Sequence, residues 1–219
     1  MTSTVTPFSA ERAQILEKAL EIAAFEGFNQ VLPEKAAKSA GYERSVADAA
    51  FPGGVIDLLD MWSLQADEAA AASLAETDAQ TLKIREKAAR AVKARIAFLR
   101  PHKEAARRAA AYLALPPYAP DGVRFTWNTA DAIWRALGDK STDYNFYSKR
   151  AILSGVLTST FARWFADDSD DGAATDAFLA ARIENVMQFE KIKAKVRDSG
   201  FDPVGMFGWL ARIRYPSKT

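Results

Sequence analysis

The chain has 219 residues, a formal net charge of +1 and no cysteine. The near balance of charge excludes a polycation drawn to nucleic acid by charge alone, and the lack of cysteine excludes disulfides, iron–sulfur clusters and thiolate chemistry. With 49% hydrophobic and 26% charged residues, the composition is typical of a mainly helical globular protein.

The first fifty residues predict three short helices. Ser9 can cap the first, which carries an apolar stripe at three- and four-residue spacing and ends at Gly27. Pro33 suits the start of the second, which stops near Gly41, and the third runs from about 44 to 51. The second and third helices form a helix-turn-helix pattern.

The charge of this pattern argues against DNA binding. Between residues 33 and 52 the cations are balanced by as many acids: Lys35, Lys38 and Arg44 against Glu34, Glu43 and Asp48. The third helix offers no side chain suited to reading bases, and DNA affinity depends largely on neutralising phosphates. We therefore expect no nucleic-acid partner.

Six longer helices are predicted to follow. They span about 55–74, 81–99, 102–115, 122–137, 143–165 and 175–196. Three short helices followed by six longer ones are the plan of the TetR-type regulators. The predicted fold is therefore all-α, a TetR-like bundle of about nine helices plus a C-terminal amphipathic helix. We expect three parts, residues 1–54, 55–200 and 201–219.

The segment 138–150 carries more chemistry than a helix junction needs. Gly138 can end one helix, and Ser141 or Asp143 can cap the next. The remaining aromatic and charged side chains fit either a core-facing helix start or a protein contact surface. The predicted partner-binding residues are Asp139, Ser141, Asp143, Tyr144, Phe146, Tyr147, Lys149 and Arg150.

This segment resembles the conserved centre of the ubiquinone-biosynthesis accessory proteins, coenzyme Q biosynthesis protein nine. The shared pattern is G-D-x-S-x-D-x-N-(W/F)-Y-x-K/R-R, with Phe146 where eukaryotic relatives tend to have Trp. Asp131 and Trp134 upstream, residues 168–183 downstream and the turn at 51–54 extend the resemblance over roughly residues 11–190. It implies a bound isoprenoid or phospholipid, and we expect a ubiquinone-biosynthesis hydroxylase as the partner.

The sequence offers no obvious catalytic site. His102 is the single histidine, so neither the usual zinc sites nor a Glu-x-x-His di-iron motif can be built. The acidic run 167–172 has Phe178 where a calcium loop needs a bidentate Glu, and it is interpreted as a solvated linker whose acids favour the next helix. A catalytic Ser–Lys pair remains an alternative, but we expect that the protein is not an enzyme and has neither a cofactor nor a metal ion.

The last segment predicts an amphipathic helix that is too short to span a bilayer. Its apolar stripe and flanking cations suit a membrane interface, although docking on the bundle or on a second subunit uses the same face. The family resemblance favours the membrane. The predicted membrane-binding residues are Met206, Phe207, Trp209, Leu210, Arg212, Ile213 and Arg214.

Apolar stripes on the long helices can form a plain core or line a pocket between helices. The predicted lipid-binding residues are Trp134, Leu157, Phe161 and Trp164. A first segment without basic residues or an apolar run predicts a bacterial cytoplasmic protein, here peripheral on the inner membrane.

Together these features predict a homodimeric lipid-binding accessory protein of ubiquinone biosynthesis. It would present an isoprenoid quinone intermediate from the membrane to a ring hydroxylase. The alternative is a TetR-family repressor that senses an apolar ligand.

Overall fold

The structure is a computed structural model. It describes residues 9–76, 78, 81–142, 144–169 and 171–198, and the side chains of these residues except 144, 187 and 189–198.

Within this described part the regular elements are all helices, and the predicted all-α class is confirmed. A 3-10 turn, Arg100–His102, precedes α6. The α-helices are α1 Ser9–Glu26, α2 Leu32–Ser39, α3 Arg44–Ala50, α4 Val55–Ala75, α5 Ile84–Leu99, α6 Lys103–Leu113, α7 Ala119–Ala136, α8 Tyr144–Phe165 and α9 Ala173–Asp198. None of the described helices combines the length and hydropathy needed to cross a bilayer.

The helix ends follow the backbone chemistry of particular residues. Gly27 and Gly41, with φ of 77° and 84°, lie just beyond α1 and α2 in the left-handed region that glycine tolerates. α7 begins at Ala119, three residues before the predicted start, because Pro120 fits the first turn, where its missing N–H costs nothing. α5 begins at Ile84, three residues later than predicted.

The chain divides into two compact units, residues 1–179 and 180–219, and the first contains α1 to α8. In that first unit α1, α2 and α3 pack on one another, and α1 also packs on α6. α4 packs against both α5 and α7, and α7 packs against α8. The N-terminal helices thus share the core of the bundle, while the predicted part 201–219 lies outside the described residues.

A buried carboxylate fixes the start of α9. Asp167 is 5% exposed, and its Oδ2 accepts hydrogen bonds from the Thr175 backbone N–H and hydroxyl at 2.7 and 2.6 Å. Its Oδ1 accepts one from the Ser169 hydroxyl at 2.5 Å. The Ser169 and Thr175 bonds hold the pKa of Asp167 well below its usual range. The interpretation of the run as a solvated linker is therefore wrong for Asp167, because its carboxylate is buried and fully engaged.

We predict that Asp167→Ala lowers the melting temperature at pH 7 by a few degrees, because the start of α9 loses its acceptors. Folding lowers the pKa of Asp167. The stabilisation is therefore present when the pH is above the pKa of Asp in the unfolded chain, about 4, and it is lost as the pH falls toward the pKa of Asp167 in the folded protein. The difference from wild type should therefore narrow below about pH 4 in thermal melts. The control is Asp168→Ala, an exposed neighbour; an equal effect of the two substitutions would contradict the assignment.

Candidate functional site

Arg150 ties α8 to α7 and to the loop between them. Its guanidinium is 2% exposed and makes ion pairs with Asp131 of α7 at 2.6 Å and with Asp139 of the loop at 3.1 Å. Nη1 also donates to the Phe146 carbonyl at 3.1 Å, and the Phe146 ring lies 3.5 Å from Cζ. A charge this deeply buried is tolerated because it is paired with two carboxylates.

Lys149 and Trp134 complete the cluster. The Lys149 ammonium lies 2.7 Å from Asp139, and the Trp134 indole N–H donates to the Lys149 carbonyl at 3.1 Å. Asp139 also accepts hydrogen bonds from the Ser141 hydroxyl at 2.7 and 2.9 Å. Hydrogen bonds from Lys149, from Ser141 and from Arg150, of which that from Lys149 contributes most, hold the pKa of the Asp139 carboxyl well below its usual range.

The predicted partner surface is therefore divided. Arg150 lies inside the fold, so the expectation that it offers charge to a partner is corrected to a structural role, and Asp139 is engaged within the same cluster. Tyr147 is 61% exposed and is the large aromatic group that the motif presents to solvent among the described side chains. Asp143 and the side chain of Tyr144 lie outside the described residues.

A cavity of about 860 Å³ opens between α4, α5, α6, α7 and α8. Small side chains make the space: α6 contributes Ala106, Ala109 and Ala110, and α8 contributes Gly155. Larger apolar groups from the neighbouring helices form the rest of the wall, among them Leu59, Trp62, Leu99, Phe125 and Trp127. Its volume lies in the range of about 300 to 1,000 Å³ that is usual for small-molecule sites.

Two of the four predicted lipid-binding residues line the cavity, and two do not. Leu157 and Phe161 line the cavity, whereas Trp134 belongs to the Arg150 cluster. Trp164 is buried outside the lining, with its ring against Phe161 and Phe165. Periodicity places all four on helices, but it does not reveal which residues face the space.

Polar groups occur at few points of this wall. Arg95 of α5 is 9% exposed and pairs with the buried Asp67 of α4, whose other oxygen accepts from Thr129 at 3.3 Å. The hydroxyl of Ser154 on α8 is buried without a hydrogen-bond partner. Sequence reasoning missed Arg95 and Ser154, because a charged or hydroxyl residue within a helix carries no sign of facing a cavity.

The cavity adjoins the exposed aromatic of the motif. The Tyr147 ring lies 6.3 Å from that of Trp127, which lines the cavity. Ala151, one turn further along α8, also lines it. Tyr147 therefore lies beside the cavity wall.

Two of the three cations in the helix-turn-helix formed by α2 and α3 lie in ion pairs. Arg44 lies 3.3 Å from Glu34 and 3.6 Å from Asp48, and Lys35 lies 2.5 Å from Glu26. The described residues contain no group of His, Cys, Asp or Glu side chains suited to a metal ion.

A sequence model of the COQ9 family matches residues 119–190, which run from the start of α7 through the Arg150 cluster and α8 into α9. The chain is 34% identical over 110 residues to the mitochondrial ubiquinone biosynthesis protein COQ9 of Rattus norvegicus, and 32% identical over 110 residues to that of Homo sapiens. Each alignment covers 50% of this chain and 35% of the relative.

The Drosophila melanogaster protein of the same name is 28% identical over 185 residues, or 83% of this chain and 56% of the relative. The chain thus spans about a third of the rat and human relatives and just over half of the fly one. The resemblance predicted from the central motif is confirmed.

Among solved structures, the chain is similar to the TetR transcriptional regulator from Nitrosomonas europaea. The TM-score is 0.66 at 18% identity, covering 80% of this chain and 97% of that one. At this identity the likeness shows the fold alone, and it confirms the predicted TetR-like bundle.

The relatives overturn the predicted location. All three are mitochondrial proteins of animals, so the prediction of a bacterial cytoplasmic protein on the inner membrane is wrong. It rested on the first nine residues, and the point at which a chain begins carries no information about a leader.

We predict that Arg150→Met lowers the free energy of unfolding by about 3 to 5 kcal/mol, because two carboxylates lose their buried counter-charge. Arg135→Met is the matched control: it removes a 74% exposed guanidinium that lies 2.7 Å from the same Asp131. An exposed pair of this kind contributes at most about 1 kcal/mol. Urea denaturation measures both, and comparable losses would refute the structural role of Arg150.

Proposed function

We propose that the chain is a non-catalytic accessory protein of ubiquinone biosynthesis. It holds an isoprenoid quinone intermediate in the cavity between α4 and α8, or a phospholipid that occupies the same space when the intermediate is absent. It presents the intermediate to a ring hydroxylase that docks at the Tyr147 surface.

The cavity carries this proposal. Its walls are built mostly from alanine, leucine, phenylalanine and tryptophan side chains, which suit a hydrocarbon chain and not a charged metabolite. Removing such a chain from water stabilises the complex by roughly 25 cal/mol per Å² of apolar surface. The relatives named for ubiquinone biosynthesis supply the class of hydrocarbon, a polyprenyl chain that bears a ring.

The position of Tyr147 supports presentation. An exposed aromatic side chain is a common anchor in protein interfaces, and here it touches the ring of a cavity-lining tryptophan. A hydroxylase bound at Tyr147 would lie beside the cavity wall, so the ligand would travel a short path. The Arg150 cluster holds this surface in place by fixing the start of α8.

The alternative of a TetR-family repressor is less well supported. Lys35 and Arg44, two of the three cations of α2 and α3, already have acidic partners, so they offer little free charge to phosphates. A salt-sensitive DNA complex would favour the repressor over the accessory protein.

Two further predictions belong to the proposal. The tail residues 206–214 would rest on the membrane and loosen the bundle for ligand entry, and they lie outside the described residues. A homodimer through the later helices would place two such tails on one surface.

We predict that Gly155→Leu weakens binding of a short-chain isoprenoid quinone roughly tenfold or more by filling the cavity wall. A Cβ added at Gly155 meets no atom within 4 Å, so the new side chain projects into open space. Replacing a mid-helix glycine also favours folding by about 0.5 to 1 kcal/mol, which separates lost binding from lost stability. Isothermal titration calorimetry and thermal melts measure the two effects.

The matched control for this substitution is Ser159→Leu, on the same helix but outside the cavity lining. It should leave the affinity unchanged. Unaltered binding by Gly155→Leu would place the ligand elsewhere and overturn the cavity as its site.

We predict that Tyr147→Ala weakens binding to the purified hydroxylase by roughly tenfold or more, as the loss of a buried aromatic anchor does. Its melting temperature should stay within a few degrees of wild type, because the ring is largely exposed. Leu64→Ala on α4 removes a side chain that is 57% exposed and should change neither value. Biolayer interferometry decides the outcome, and full binding by Tyr147→Ala would remove Tyr147 from the interface.

A further inference from the structure

We propose that the cavity has a polar wall at Arg95 that recognises the ring oxygen of a neutral isoprenoid. The ring end of the ligand lies against α4 and α5, and an oxygen on the ring accepts a hydrogen bond from the guanidinium. This inference rests on the proposed function and adds the orientation and the charge class of the ligand.

Arg95 has donors left over. Nη1 donates to the Ser63 carbonyl at 3.0 Å and to Asp67, and Nη2 donates to the Ser63 hydroxyl at 2.9 Å. A guanidinium carries five N–H donors, so Nε–H and one Nη2–H make no hydrogen bond to the described residues. Because Arg95 lines the cavity, a hydrogen-bond acceptor on a ligand is the natural partner for these two remaining donors.

The wall is electrically neutral as a whole. Arg95 is paired with Asp67, which is 7% exposed and is also bonded by the Thr129 hydroxyl. Burial raises the pKa of Asp67 and lowers that of Arg95, which reflects how strongly both groups are desolvated. An anionic head would add an unbalanced buried charge, whereas a neutral ring oxygen would engage the donors at no such cost.

The surroundings orient the ligand. The Phe161 ring lies 6.0 Å from Arg95 Cζ and offers an aromatic face beside the guanidinium. In contrast, α6 contributes only apolar residues to the wall, namely Ala106, Ala109, Ala110 and Leu113. The ring therefore has polar and aromatic neighbours at α5 and α8, and the prenyl chain extends along α6.

Three probes with the same two-isoprene tail test this orientation by titration calorimetry on the wild-type chain. They end in a benzoquinone ring, in a methylbenzene ring of similar size without oxygen, and in a carboxylate. The quinone should bind about tenfold to a hundredfold more tightly than the methylbenzene, the effect of a hydrogen bond to a charged group. The carboxylate should bind no more tightly than the methylbenzene.

A charge-balanced variant then assigns the effect to Arg95. Arg95→Met with Asp67→Leu removes both charges together, which protects the fold better than removing one. It should lose the preference for the quinone and keep the affinity for the methylbenzene probe. Lys93→Met with Asp176→Leu removes an exposed pair that joins α5 to α9, 2.6 Å apart and outside the cavity lining, and should change neither affinity.

The outcomes separate this inference from the proposed function. If the quinone and methylbenzene probes bind wild type equally well, or if the carboxylate binds best, the polar wall is overturned while the apolar cavity stands. The same holds if the charge-balanced variant keeps the preference. If no probe binds wild type, the proposed function fails together with the inference. The comparison on wild type is decisive even if the charge-balanced variant does not fold.

Discussion

The ion pairs of Arg150 are the constraint on which the rest of the candidate site depends. One guanidinium joins Asp131 of α7 to Asp139 of the connecting loop, and it also caps the Phe146 carbonyl on its own helix. The angle between α7 and α8 is thereby fixed at the point where the chain reverses. Both helices form a wall of the cavity, and Tyr147 lies on the first turn of α8. One buried charge with two acidic partners therefore links the two helices that contribute to the cavity wall and the turn that carries Tyr147.

The cavity exists because small side chains stand at positions where larger ones would fill the core. Ordinary cores leave few voids larger than a water molecule, because lost contacts destabilise the fold. Here α6 turns an alanine face inward, and α8 places Gly155 opposite larger groups. A bound hydrocarbon would restore the missing contacts, and its binding would then raise the folding stability of the bundle. In the proposed complex, the few polar groups of the wall, Arg95 foremost, would select among such ligands.

The sequence was sufficient for predicting the helices and the family resemblance, because apolar periodicity, glycine stops and the central motif are local signals. It misjudged Arg150, since an arginine at a helix start looks like a surface residue until the phase of Asp131 on the preceding helix is known. Asp167 was misjudged for the same reason: a run of acids does not show which member is buried. The pocket could not be separated from a plain core, because alanines at helical spacing fit both. The predicted location was wrong because it was inferred from the first residues of the chain.

The central claim is that an isoprenoid lipid occupies the cavity of this TetR-like bundle. Native mass spectrometry of the full chain purified from its own cells, followed by organic extraction, tests it most directly. The account predicts about one lipid bound per chain, released on extraction and identified as a prenylated ring compound or as a phospholipid that occupies the same space. A chain that is empty in every preparation would contradict the account and would favour a scaffold that binds the hydroxylase without carrying a ligand.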